Sequence, residues 1–162
     1  MAASLSLRKY TGASAGTESA VITGVDLSSA DNATNTLANR QANPITVGNN
    51  SYESWLRLKV DTAPANGVTN FKVWGDGAVQ TSTTLFVTAA YVTGTTPTTG
   101  VSTIANANFN TYTSGNKATW DATSYSTTNS TTKAVVFQLQ VAATADPGNW
   151  VQETVNYSYD ET

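Results

Sequence analysis

The side chains that most enzymes use for catalysis are scarce in this sequence. Among its 162 residues there is no histidine and no cysteine. Their absence excludes a Ser-His-Asp triad, a Cys-His pair and any metal site that relies on imidazole or thiolate ligands. Gly75-Asp76-Gly77 is not followed by the rest of a nucleotide-binding fingerprint, so no phosphate-binding loop is predicted.

Acidic residues are the remaining candidates for catalysis, and the chain has eleven. A pair of carboxylates facing one cleft is sufficient for glycoside hydrolysis, and Glu53 and Glu153 both lie in predicted strands. Acids on strands and in turns are far more often solvated surface groups. We therefore predict that the protein is not an enzyme and that it binds no metal or other cofactor. Calcium stays open as an alternative, because loop oxygens suffice for it, although no Asp-x-Asp-x-Asp run is present.

Charged residues are also unusually few. Only 12% of the residues are charged, against about 25% in typical proteins, so the polar surface must consist largely of Thr, Ser, Asn and Gln. The net charge of -3 disfavours nucleic acids, which are bound mainly through Lys and Arg. No apolar run approaches the length of about 20 residues that spans a bilayer, and the first residues do not resemble a signal peptide. We expect a protein without a signal peptide and with no nucleic-acid or membrane partner.

Alternation of apolar and polar residues indicates β-strands along much of the chain. In residues 52–61, Leu56 and Leu58 fall on one face, which we expect to be buried. Trp55 and Arg57 fall on the other face, which we expect to be exposed. Further strands are predicted at residues 71–74, 85–91, 135–142 and 150–160, with weaker patterns at residues 5–10, 20–27, 101–105 and 118–123.

A turn sequence separates the last two predicted strands. In Asp146-Pro147-Gly148, proline pre-sets φ and glycine accepts the positive φ of a type II turn. We therefore predict that these two strands form an antiparallel hairpin. Helical periodicity is weak: residues 31–40 are the one candidate, and we predict no helix longer than about two turns.

Eight or nine strands separated by Gly, Pro and Asn clusters predict an all-β protein with an antiparallel β-sandwich fold. A jelly roll of about eight strands is the leading form, and an immunoglobulin-like sandwich is the alternative. The length fits a single domain, which we place at residues 18–162. Residues 1–17 either form an N-terminal arm that leaves the sandwich or contain its first strand.

Two groups of side chains are candidates for contacts with a partner. Trp55 and Trp74 fall on the outward faces of their strands, where a tryptophan either packs under a loop or anchors an interface. An N-terminal arm would carry a short strand pattern that is able to add to the edge of a neighbour's sheet. Its candidate contact residues are Leu5, Leu7, Arg8, Lys9 and Tyr10.

Two segments of the sequence are distinctive: residues 43–58, NPITVGNNSYESWLRL, and residues 150–161, WVQETVNYSYDE. Together with the Thr-rich composition that lacks Cys and His, they resemble structural proteins of tailed-phage particles, in particular capsid decoration (cement) proteins of the jelly-roll type. This resemblance implies synthesis in the host cytoplasm.

The resemblance implies a homotrimer on the outer surface of the virion capsid. Such a protein binds the major capsid protein and reinforces the shell against the pressure of the packaged DNA.

Two other functions stay open. One is a carbohydrate-binding jelly-roll module of a phage fibre or surface adhesin, which would place two or three coplanar aromatic rings in a groove or on an exposed sheet face. The other is a tail-tube or minor capsid protein.

Overall fold

The computed structural model describes residues 2–25, 27–33, 36–77, 82–92, 94–146 and 153–162, and most of their regular structure is β-strand. The strands are β1 (Ser4–Thr11), β2 (Thr17–Val21), β3 (Ser54–Thr62), β4 (Val68–Gly75), β5 (Thr83–Tyr91), β6 (Ala107–Asn108), β7 (Ala118–Asp121), β8 (Ala134–Val141) and β9 (Val155–Glu161).

The strands form two antiparallel sheets of unequal size. The large sheet has the order β2-β1-β3-β8-β5-β6, and the small sheet has the order β7-β4-β9. The two sheets bury a shared apolar core. The predicted all-β, antiparallel β-sandwich is therefore confirmed.

The core between the sheets is built from the residues that face inward on the strands of both sheets. Leu56 and Leu58 lie in it, as their alternation predicts, together with Phe71 of the small sheet. Phe109 follows β6 in a short 3₁₀ turn and packs edge-to-face on Phe137 of β8, with 5.0 Å between the ring centroids. Excluding side chains of this size from water stabilises the fold by about 1.5–3 kcal/mol each.

Strand β8 is buried on both faces, which is unusual for an antiparallel sheet with one solvated side. One face lies in the main core, and the other contributes Val136 to a second apolar cluster on the outer face of the large sheet. Trp55 is fully buried in this second cluster and packs edge-to-face on Tyr91, with 5.3 Å between the ring centroids. Ala105 joins the cluster from residues 94–106, which we call the covering loop.

A buried glutamine fixes the covering loop on β8. Gln138 is fully buried, and its Oε1 accepts a hydrogen bond from the Ser102 N–H at 2.8 Å. Its Nε2 donates to the carbonyl oxygens of Gly100 at 2.7 Å and Ser51 at 3.1 Å. Buried polar groups are costly without partners, so the amide of Gln138 and the backbone of the loop stabilise each other.

The covering loop takes the place of the strand predicted at residues 101–105. The Ser102 hydroxyl accepts hydrogen bonds from the backbone N–H groups of Ile104 and Ala105, at 3.1 Å and 2.8 Å. Because the Ser102 side chain binds both of these N–H groups, the two groups are not free to pair with a neighbouring strand. The prediction of a strand here is wrong.

The predicted hairpin between the last two strands is also wrong. Strand β8 pairs with β3 and β5, so both of its edges are occupied, and β9 pairs with β4 in the small sheet. The chain therefore crosses from one sheet to the other between β8 and β9. Within the predicted turn, Pro147 and Gly148 lie outside the described residues, as do residues 150–152 of the predicted last strand.

The N-terminal segment belongs to the sandwich in this structure. Strand β1 lies inside the large sheet, between β2 and β3, and its Leu5 and Leu7 pack against the main core. This arrangement corresponds to the first-strand alternative and not to an arm. Strand β2 begins at Thr17, ahead of the prediction for residues 20–27, and Ile22 packs on the core beyond the end of the strand.

The α-helix of the described residues is α1 (Leu37–Ala42), which overlaps the predicted candidate and is shorter than two turns. The Thr36 side chain caps it by accepting a hydrogen bond from the Asn39 N–H at 3.2 Å. In the described part of the chain, no helix has the length and apolar character needed to cross a membrane.

We expect Gln138→Ala to lower the free energy of unfolding by about 2–4 kcal/mol, because it leaves the Ser102 N–H and the Ser51 carbonyl buried without partners. Gln140→Ala, two residues along the same strand at a half-buried position, should cost less than about 1 kcal/mol. Urea unfolding of both variants measures the difference. Equal losses would show that Gln138 does not fix the loop.

Candidate functional site

The predicted N-terminal contact residues divide between the two faces of β1. Leu5 and Leu7 pack against the core, and Lys9 is only 3% exposed. Arg8 and Tyr10 lie on the opposite face, on the outside of the large sheet, and are partly exposed. In this conformation Lys9 is not available to a partner and Leu5 and Leu7 are turned toward the core, whereas Arg8 and Tyr10 lie on the outer face.

The outer face of β1 and of its neighbouring strands carries four charged residues and one tyrosine, which we call the basic cluster: Arg8, Tyr10, Glu18, Arg57 and Lys59. Strand register brings its members together. Arg8 lies opposite Arg57 in the pairing of β1 with β3, and Tyr10 lies opposite Glu18 in the pairing of β1 with β2. Lys59 lies on the same face of β3, two residues after Arg57. Three of the eight basic residues of the chain therefore share one part of the outer face.

Glu18 is the carboxylate at the centre of the basic cluster. The Lys59 Nζ donates to its Oε1 at 3.0 Å, the Arg8 Nε lies 3.7 Å from the same oxygen, and the Tyr10 hydroxyl donates to its Oε2 at 3.0 Å. The hydrogen bond from Lys59 is the main cause that lowers the pKa of Glu18. Burial, followed by the hydrogen bond to Glu18, raises the pKa of Tyr10 to about 12, so its hydroxyl stays a donor at neutral pH.

Arg57 has no carboxylate of its own among the described residues. Its guanidinium lies over the Tyr10 ring, 5.3 Å from the centroid, and its Nη1 donates to the Thr132 carbonyl at a long 3.4 Å. Its Nε is buried without a hydrogen-bond partner. Arg8 lies directly opposite, and like charges opposed across two strands are unfavourable. The sheet thus holds a cation that its own neighbours do not neutralise.

The two tryptophans predicted as contacts differ in exposure. Trp55 lies under the covering loop, where its Nε1 donates to Glu53 Oε2 at 3.2 Å, and it has no exposed surface for a partner. Trp74 is partly exposed on the outer face of the small sheet. The Lys117 Nζ lies over its ring, 4.1 Å from the centroid, so the ring is not an open platform for a sugar.

A groove of about 410 Å³ runs between the β5–β6 edge of the large sheet and β7 of the small sheet. Its lining includes apolar side chains such as Val87 and Ala118, together with Lys117 and Thr119. Tyr112 is the one aromatic residue among the residues that line this groove. The groove therefore does not present the two or three coplanar rings expected of a carbohydrate module.

The two acids considered for catalysis lie on opposite sides of the large sheet. Glu53 is 2% exposed in the second cluster, where it also accepts a hydrogen bond from the Ser102 hydroxyl. Glu153 lies against Gly75 and Phe109, at the margin of the main core. The two carboxyl groups do not face one cleft. Among the described residues, no three His, Cys, Asp or Glu side chains form a group that could hold a metal ion.

Glu153 is held in an environment that disfavours its charge. Its Oε1 is buried without a hydrogen-bond partner, and a Cβ atom on Gly75 would overlap this oxygen. Burial, with a smaller contribution from the charge of Asp76, raises the pKa of Glu153 to about 7. The protonated form therefore fits this position better than the ionised form.

Comparison of the chain with models of protein families, with curated proteins and with solved structures gave no match.

Sequence patterns identify only part of the basic cluster. The alternation in residues 52–61 places Arg57 and Lys59 on the outer face, and the structure confirms this. Glu18 cannot be recognised as their partner from alternation, because its position depends on the turn between β1 and β2. Ser14 and Ala15 both have positive φ in that turn, a conformation that cannot be predicted from a serine or an alanine in the sequence.

We expect Glu153→Gln to stabilise the protein at neutral and higher pH. The folded state keeps the Glu153 proton up to about pH 7, whereas the unfolded chain loses it near the ordinary value of 4.5. The contribution of Glu153 to stability is thus fully present below about pH 4.5 and is lost as the pH rises to about 7. The gain of the variant over the wild type should grow across this range and reach about 1–2 kcal/mol above pH 7, less than for a fully buried group, since Glu153 is only partly buried.

Urea unfolding at a series of pH values measures this gain, with Asp146→Asn as a control at an exposed acid. A constant difference between Glu153→Gln and the wild type at every pH would contradict the raised pKa. So would an equal pH-dependent gain in the Asp146 variant.

Proposed function

We propose that this protein is a non-enzymatic structural component of a phage virion. Specifically, we propose a capsid decoration protein that binds the major capsid protein on the outside of the head. The resemblance of residues 43–58 and 150–161 and the Thr-rich composition support this class. The separation of Glu53 from Glu153 supports a binding role, because it removes the one catalytic pair that the sequence offers.

The basic cluster is the observation that carries the proposal. It lies on an outer sheet face beside the region that the covering loop protects, and it contains a guanidinium that the fold does not neutralise. Arginine and tyrosine are enriched where protein interfaces have their strongest contacts. A surface of this kind is well suited to a permanent contact with another protein.

The low charge content supports the same conclusion. Only 12% of the residues are charged, so most of the surface is neutral and polar. Burying such a surface against a neighbour removes few ions from water, and ions are the groups that are most expensive to desolvate. A small number of fixed charges, those of the basic cluster, then set the orientation of the partner.

Immunogold electron microscopy of phage particles from cells that produce the protein tests the proposal. We expect an antiserum raised against the protein to label heads, with pre-immune serum as the control. Label on tails would contradict the decoration assignment and favour the tail-tube alternative. Particles without label, with the protein present only in unassembled fractions, would contradict a virion role.

The proposal also predicts a homotrimer in solution. Size-exclusion chromatography with light scattering should give three times the chain mass of 17.0 kDa. A mass equal to one chain at all concentrations tested would contradict the trimer.

A further inference from the structure

We propose that the basic cluster binds an acidic segment of the partner protein, and that Arg57 makes the central contact with a carboxylate. This inference rests on the proposed assembly function and adds the chemistry of the partner.

The charge balance of the cluster leaves a surplus of positive charge. Arg8 and Lys59 both form their salt bridges with Glu18, at 3.7 Å and 3.0 Å. Arg57 forms none among the described residues. Asp61, near the end of β3, accepts a hydrogen bond from the Ser6 hydroxyl at 3.0 Å. Glu18 therefore pairs with two of the three cations, and no carboxylate pairs with Arg57 among the described residues.

The position of Arg57 does not serve the stability of the isolated chain. A buried Nε without a partner is unfavourable, and so is a second arginine directly opposite in the sheet. The contact of its guanidinium with the Tyr10 ring offsets part of this cost. A carboxylate from outside would both pair with the guanidinium and reduce its repulsion from Arg8.

The dimensions of the patch favour an acidic protein segment over a nucleic acid. Nucleic-acid binding usually neutralises about 6–10 phosphates, and this patch offers three cations on a chain with a net charge of -3. The field of the whole chain repels an extended polyanion. A short run of Asp or Glu side chains matches three cations without extending into the acidic remainder of the surface.

Isothermal titration calorimetry with the full chain tests this inference. The probe is a short poly-L-glutamate peptide at about 20 mM salt, where screening is weak. We expect Arg57→Gln to weaken binding about tenfold. The matched control is Lys72→Gln, which removes the same charge from the outer face of the small sheet, where the Lys72 Nζ donates to the Thr119 hydroxyl at 3.0 Å. It should change binding less than about twofold.

Three results would overturn the inference. The first is equal weakening by Arg57→Gln and Lys72→Gln, which would indicate a general effect of charge. The second is no binding of poly-L-glutamate by the wild type. The third is tighter binding of a single-stranded oligonucleotide of the same length, which would assign the patch to nucleic acid.

The folding of Arg57→Gln provides a separate check. Because the substitution removes a like-charge pair and an unpartnered buried nitrogen, we expect the melting temperature to fall by no more than about 3 °C. A variant that fails to fold would show that Arg57 serves the sandwich itself and would overturn the inference. Arg57→Lys keeps the charge without the planar fork, and we expect it to fold and to bind poly-L-glutamate with reduced affinity.

The peptide titration and the virion labelling fail independently. Binding of poly-L-glutamate through Arg57 by a protein that is missing from virions would retain the acidic partner and reject the phage assignment. Labelled heads with no peptide binding would retain the decoration function and reject Arg57 as its contact.

Discussion

Strand β8 is buried on both faces, and its burial determines how the outer face of the large sheet is organised. A strand in the middle of a two-layer sandwich normally has one solvated face, but the outer face of β8 lies under the covering loop. A polar side chain there must find backbone partners, and Gln138 finds them in Ser102 and Gly100 of the loop and in Ser51, which precedes β3. Through these bonds β8 fixes the course of the loop and the burial of Trp55.

This constraint divides the outer face of the large sheet into two regions. Around Trp55 and Tyr91 the face is apolar and covered, so it contributes to stability. Along β1, β2 and the outer half of β3 it is open and carries the basic cluster. In a chain with few charges, three cations on one part of a sheet face are a marked local excess, and Glu18 pairs with only two of them. We propose that Arg57 contacts a partner there, because the fold orients it without neutralising it.

The sequence predicts strands well and their partners poorly. Alternation locates β3, β5 and β8 because each places large apolar residues on one face, a property of the local chain. Pairing depends on distant segments: β8 and β9 follow one another across a turn sequence, yet β9 joins β4 because β3 and β5 occupy both edges of β8. Likewise, alternation gives the outward direction of Trp55 correctly but does not predict the loop that covers it. Gln138 holds this loop, and a glutamine at an outward position of a strand is expected to face solvent.

We propose that the open part of the large sheet is the contact surface and that Arg57 contacts a carboxylate there. Electron cryo-microscopy of intact phage particles would locate both. We expect the sandwich on the outside of the head with β1 and β3 turned toward the capsid protein, and an Asp or Glu side chain within about 4 Å of the Arg57 guanidinium. A reconstruction in which this face is turned toward solvent, with contacts made by the small sheet, would contradict it.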